Sequence, residues 1–284
     1  MFKIGMSSMG FELIEENFKK MAENKIEALE ISMTSDKYQF INYNELLRFS
    51  KAYNILLWSY HLPFSPASVI DPSAVDDEIR KNTREYFGEL IKKGSYIGIE
   101  KFIIHPSSEP IDALQRAEKM KYSMETLDFL AELASKEGSV LCVEDLPRTC
   151  LGNSADEILK LTSVNEKLKV CFDTNHLLDD DNLNFVEKVY SKIVTVHVSD
   201  YDFVNERHWL PGEGKIDWQS LYSALVKKGY NGVWMYEIAL KCPNTIIRDR
   251  DLNFSDFYKN AKEIFSGGDL TVFSTQKENL GFWE

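Results

Sequence analysis

The chain has 284 residues, 44% of them apolar, which is enough for one large core. Its 33 basic and 45 acidic side chains give a formal net charge of −12, which argues against broad attraction to nucleic acid or to an anionic membrane surface. No apolar run approaches the roughly 20 residues that span a bilayer, no export signal opens the chain, and four cysteines without CxxC spacing fit a reduced cytoplasmic protein lacking a disulfide framework or zinc knuckle.

Strand-then-helix units follow one another along the sequence. Residues 2–6 read as a short strand ending in Ser7-Ser8, and the spacing of Phe11, Leu13, Ile14, Phe18 and Met21 predicts a helix over 11–24. A strand over 26–32 and a helix over 43–49 come next, then a strand over 55–58 running into Ser59-Tyr60-His61-Leu62-Pro63-Phe64. After a long helix over 74–97, the strand 101–104 delivers His105-Pro106. A helix over 111–135 precedes the strand 140–143, which delivers Glu144-Asp145, and Asn153-Ser154 marks the start of a helix over 155–161. The strand 167–172 delivers Asp173-Thr174-Asn175-His176 and is followed by a helix over 185–191. The β-branched run 193–196 delivers His197, Ser199 and Asp200 into a loop carrying Glu206-Arg207-His208, which Pro211-Gly212-Glu213-Gly214 turns into a helix over 217–228. The strand 233–236 delivers Glu237, and a helix over 254–265 closes the pattern.

Short continuous apolar strands alternating with helices call for a parallel sheet covered by helices. Eight units over about 250 residues predict an α/β protein built as a single (β/α)8 TIM barrel rather than an open doubly wound sheet. No GxGxxG or P-loop follows a strand. The barrel is expected over 1–266, and 267–284, with Phe273, Phe282 and Trp283, as an extension packed on the barrel or on a partner subunit.

Barrels of this kind place their sites at the carboxyl ends of the strands. Those ends carry His61, His105, Glu144, Asp173, His176, His197, Asp200 and Glu237, with His208 in the loop after strand seven, so all five histidines fall there. Singly, each has a bland reading: a lone histidine caps or satisfies a core position, Asp173 caps a turn, Asp200 is an acceptor orienting an imidazole. Glu144 and Glu237 are harder to dismiss, because a carboxylate ending a buried run needs a cation or a donor facing it. Together they read as mixed imidazole and carboxylate ligands for Mn2+, Co2+, Zn2+ or Fe2+. The acidic clusters at 76–78 and 179–181 read as solvated surface, and Cys142, Cys171, Trp58 and Trp234 as core. Trp209 and Phe64 flank the mouth as candidates to line a substrate pocket.

At these residues the chain resembles the xylose isomerase-like barrel superfamily, which joins sugar isomerases and epimerases with zinc-dependent abasic-site endonucleases. The matching pieces are HLPF at His61, HP at His105, Glu144, DTNH at 173–176, HVSD at His197, RHWLPGEGKIDW at Arg207 and Glu237 after strand eight. The resemblance implies metal ligands Glu144, Asp173, His197 and Glu237, with Glu144 and Glu237 as the paired catalytic carboxylates. It places His176 on a substrate oxygen, and Arg207 and Trp209, from their place near the mouth, are further substrate-binding candidates. The endonuclease branch would add His61, His105, His176 and His208 as ligands of further metals, with Glu206 standing where that branch has Asp. HLPF, PGEGKIDW and the acidity tilt the reading to a divalent-metal-dependent sugar or sugar-phosphate isomerase or epimerase, working through a metal-stabilised enediolate. The alternatives are an abasic-site phosphodiesterase, a keto-polyol dehydratase or a non-enzymatic sugar-binding barrel. The partners expected are a small sugar and a second copy of the chain, with no nucleic acid or membrane.

Overall fold

The computed structural model describes residues 2–277. Eight parallel strands close into a barrel in sequence order: β1 (Lys3–Ser7), β2 (Ala28–Ile31), β3 (Leu56–His61), β4 (Lys101–Ile104), β5 (Val140–Glu144), β6 (Lys169–Asp173), β7 (Ile193–Val198) and β8 (Val233–Tyr236). β8 pairs back onto β1, with Lys3 opposite Val233 and Met6 opposite Tyr236. The helices between and after them are α1 (Glu15–Glu23), α2 (Tyr43–Tyr53), α3 (Asp77–Tyr96), α4 (Arg116–Lys136), α5 (Ala155–Leu161), α6 (Asn182–Val189), α7 (Trp218–Lys227) and α8 (Phe254–Ser266). Among the described residues, no helix is long and apolar enough to cross a membrane.

Side chains alternate across each strand, and that alternation builds both the core and the site. Leu141 and Val143, Val170 and Phe172, Trp234 and Tyr236 point outward into the main core under the helices. The alternate positions fill the barrel interior, with Ala28, Val233 and Met235 in one cluster and Ile103, Cys142 and Cys171 in another. Gly5 leaves room there, since a Cβ on it would lie 2.6 Å from Val233 and 2.8 Å from Met235. Two residues beyond these apolar positions, on the same face, come Glu30, Glu144, Asp173 and Glu237.

The helix predicted over 11–24 begins only at Glu15, because a 3-10 turn (Ser8–Gly10) packs first against the loop after β8. A Cβ on Gly10 would lie 2.5 Å from the Ala239 backbone. Likewise α4 starts at Arg116 rather than near 111, after turns following Pro110. β3, β6 and β7 run further than predicted: His61 pairs with Ile103, and Asp173 with His197. These polar residues are therefore held by ladder hydrogen bonds, not by loops. Trp58 is half-buried and packs against the Ala28–Val233–Met235 cluster, with the Lys101 ammonium 3.6 Å from its ring centroid and its indole N–H on Thr195.

Residues 267–277 return along the loops after β7 and β8. β10 (Ser274–Gln276) pairs antiparallel with β9 (Ile246–Arg248), a short strand in the loop after β8. Phe282 and Trp283 lie outside the described residues.

Candidate metal and substrate site

Four donors meet at the carboxyl end of the barrel. One ligand atom from each of Glu144, Asp173, His197 and Glu237 lies within 4.8 Å of the other three. His197 Nδ1 is 2.8 Å from Glu144 Oε1, 3.3 Å from Glu237 Oε2 and 3.7 Å from Asp173 Oδ2. The first three residues are fully buried and Glu237 is 7% exposed. Asp173 Oδ1 accepts from the Asn175 backbone N–H at 2.7 Å, while Oδ2 is buried without a hydrogen-bond partner. A buried carboxylate oxygen with no donor is costly, and a cation among these four residues would satisfy it. The donor set of three carboxylates and one imidazole suits a hard or borderline divalent ion.

Glu144 joins this group to a second one. Its other oxygen, Oε2, lies 3.0 Å from His61 Nε2 and 3.2 Å from His105 Nε2, and the three residues form a further potential ligand cluster. His176, Glu206 and His208 form a third, with His176 Nε2 3.4 Å from Glu206 Oε2. Backbone carbonyls fix the imidazoles. His61 Nδ1 donates to Leu62 O at 2.8 Å, His176 Nδ1 to Asp145 O at 2.8 Å, and His208 Nδ1 to Glu237 O at 3.1 Å. A carbonyl only accepts, so Nδ1 carries a proton in each and Nε2 is the nitrogen turned to the cavity.

The charges balance tightly in the metal-free protein. Burial would raise the Glu144 carboxyl, but the imidazoles of His197, His105 and His61 outweigh it and hold it well below the usual carboxylate range. Burial opposes protonation of His61, yet Glu144 raises it to about 9. His176, also opposed by burial, is raised to about 10 by Asp173, Glu206 and Glu144. Burial lowers His105 and pushes the carboxyl of Asp145 well up.

The three groups border one cavity of about 680 Å3. His61, His105, Glu144, His176, Glu206, His208 and Glu237 line it, and Phe64 stacks on His105 with ring centroids 4.5 Å apart. Arg148 also lines it, as the one Lys or Arg to do so among the described residues, and is bonded to Glu109, Glu206 and Asn205.

Three sequence expectations are corrected. Trp209 is fully buried, with its indole N–H on Thr245 Oγ1 at 2.8 Å, and does not line the cavity. Its backbone bridges to Asp200 in both directions, and its ring reaches Thr245 in the loop after β8. Arg207 is likewise 5% exposed and away from the cavity lining, its Nε donating to Asp202 at 2.9 Å. Asp200 orients no imidazole. Its carboxylate accepts from the backbone N–H groups of Tyr201, Gly212 and Ile216 and from the Trp218 indole, pinning the PGEG turn. Gly214 is required there, because a Cβ would fall 2.2 Å from Asp200 Oδ1. The buried Arg248–Glu213 pair and the Gln276 side chain on Glu213 O brace the same loop from β9 and β10. It is this loop that carries Glu206 and His208.

Sequence reasoning missed Glu30, Glu109 and the acceptor role of Asp145, whose Oδ1 takes the Asp173 backbone N–H at 2.8 Å. Glu30 carried a readable signal: it is a single carboxylate inside the buried strand ALEI.

Similar proteins share this architecture. A D-tagatose 3-epimerase-like protein superposes with a TM-score of 0.80 at 23% identity, over 93% of this chain and 97% of that one. D-psicose 3-epimerase from Clostridium cellulolyticum H10, solved with D-tagatose, gives 0.71 at 22% identity, over 94% and 92%. In sequence, D-psicose 3-epimerase of Ruminiclostridium cellulolyticum is 26% identical over 244 residues, 80% of this chain and 79% of that protein. An uncharacterised protein of Methanocaldococcus jannaschii is 27% identical over 243 residues, 81% and 82%. The pattern that defines the xylose isomerase-like TIM barrel matches residues 6–253, and the chain belongs to that family.

Proposed function

We propose that this protein is a divalent-metal-dependent epimerase or isomerase of a small ketose. The observation that carries the reading is the convergence of Glu144, Asp173, His197 and Glu237, with the unpartnered Asp173 Oδ2 aimed among them. The epimerase relatives support the substrate class. A Mn2+, Co2+ or Zn2+ ion held by these four residues would supply Lewis-acid stabilisation of the enediolate formed when a proton leaves the carbon beside the ketose carbonyl.

The rest of the chemistry falls to the side chains. Glu144 comes from β5 and Glu237 follows β8, so the two carboxylates approach a bound sugar from different sides. One removes the proton and the other returns one to the opposite face, inverting that carbon. His176 Nε2, at the cavity edge, donates to a sugar oxygen. Phe64 covers an apolar face of the sugar ring or chain. Arg148 already faces Glu109 and Glu206, which speaks for an unphosphorylated sugar.

The test is incubation of the Mn2+-loaded protein with ketopentoses and ketohexoses in deuterated water. Deuterium should enter beside the carbonyl as the epimer or aldose forms. Failure of every sugar to exchange would remove this reading.

One observation favours a second reading. The additional His61–His105–Glu144 and His176–Glu206–His208 groups would accommodate further ions, as a multinuclear phosphodiesterase on abasic DNA requires. The net charge of −12 and the paired state of Arg148 weigh against a DNA substrate.

A further inference from the structure

Glu30 sits on β2, three strands round the closed barrel from β7, and its carboxylate is fully buried. Its Oε2 lies 3.0 Å from His197 Nε2 and accepts from Ser59 Oγ at 2.7 Å, while Oε1 has no partner. Ser59 is the residue opposite Glu30 in the β2–β3 ladder. Among the described residues, no lysine or arginine pairs with this carboxylate. A buried, incompletely satisfied carboxylate is a poor stabilising element, so its placement calls for another account. His197 supplies one. Its Nδ1 faces Glu144, Glu237 and Asp173, and only its Nε2 faces Glu30. An imidazole that ligates through one nitrogen needs its proton on the other, and a carboxylate facing that other nitrogen both fixes the tautomer and strengthens the ligand.

We infer that Glu30 is a positioning residue for the metal centre: it holds the His197 proton on Nε2, so that Nδ1 is presented to the cation, with Ser59 holding Glu30 in place. The inference rests on the metal-site reading above, and it assigns a carboxylate outside the ligand set a direct hold on metal affinity.

The experiment is titration of the metal-free protein with Mn2+, followed by electron paramagnetic resonance, for the wild type, Glu30→Gln, Ser59→Ala and Glu144→Gln. Loss of such a supporting carboxylate typically weakens metal binding about 10–100-fold, and Glu30→Gln should fall in that range. Its metal-free form should melt no lower than the wild type, and long-range 1H–15N spectra should show His197 no longer confined to the Nε2–H tautomer. Ser59→Ala, which acts only through Glu30, should weaken binding by a smaller factor, about threefold to tenfold, the net contribution of a typical single hydrogen bond. Wild-type affinity in Glu30→Gln, beside lost binding in Glu144→Gln, would overturn the role of Glu30 alone. Should Glu30→Gln not fold, wild-type affinity in Ser59→Ala would overturn it. If the wild type itself takes up no Mn2+, the site reading falls first and this inference with it.

Discussion

Glu144 Oε1 stands 2.8 Å from His197 Nδ1, and the two residues come from non-adjacent strands, β5 and β7. The other oxygen of the same carboxylate faces His61 and His105. One side chain therefore ties two donor groups together, and its replacement should have the widest effect in the site.

Glu144→Gln is expected to lower turnover about 1,000-fold, within the usual span for a positioned acid or base, and to weaken metal binding. Glu237→Gln should lose turnover comparably and keep the His61–His105 side intact. Far-ultraviolet circular dichroism should match the wild type in both. An active double variant would end the paired-carboxylate mechanism.

Metal content separates the two functional readings. The sugar reading expects one tightly held ion per chain by mass spectrometry, unchanged in His208→Ala. Three ions, with one lost in His208→Ala and one in His61→Ala, would favour the phosphodiesterase. Removal of metal by a chelator should abolish activity in either case, and added Mn2+ or Co2+ should restore it.

Stability of the metal-free protein should depend on pH in a defined direction. His61 is raised from an ordinary 6.5 to about 9 and His176 to about 10. A raised histidine contributes stability that is whole below 6.5 and lost as pH climbs through the folded value. Asp173, for which burial is outweighed by His176 and His197, is lowered from 3.8 to about 2, so its contribution is present above 3.8 and lost as pH falls through 2. The melting temperature should therefore fall between pH 6.5 and 10 without metal. Saturating Mn2+ should flatten that fall and release protons on binding. A melting temperature that rises from pH 6.5 to 9 without metal would contradict the charge assignment.

Trp209→Phe should cost about 1 kcal/mol through the lost bond to Thr245, and Trp209→Ala about 3–5 kcal/mol through the cavity left behind. Chemical denaturation measures both. KM for the sugar should stay within about twofold for Trp209→Phe, since the ring lies outside the cavity lining. A tenfold change would return Trp209 to the substrate.

The order of strands and helices, the barrel and the polar strand ends were legible in the sequence, because they depend on local alternation and on runs such as IVTV, KFII and VWMY. Glu144, Asp173, His197 and Glu237 announce themselves as acids and an imidazole ending apolar strands. What the chain order cannot show is distance across the barrel. Glu30 and His197 are 167 residues apart and meet only because closure turns β2 and β7 toward one axis. Trp209 and Arg207 adjoin His208 in sequence yet face away from the cavity, because Asp200 folds their loop onto itself. Residue types and strand ends are local properties. Which of two neighbours faces the cavity, and which distant carboxylate steadies an imidazole, is settled by register and loop hydrogen bonding that exist only in the closed fold.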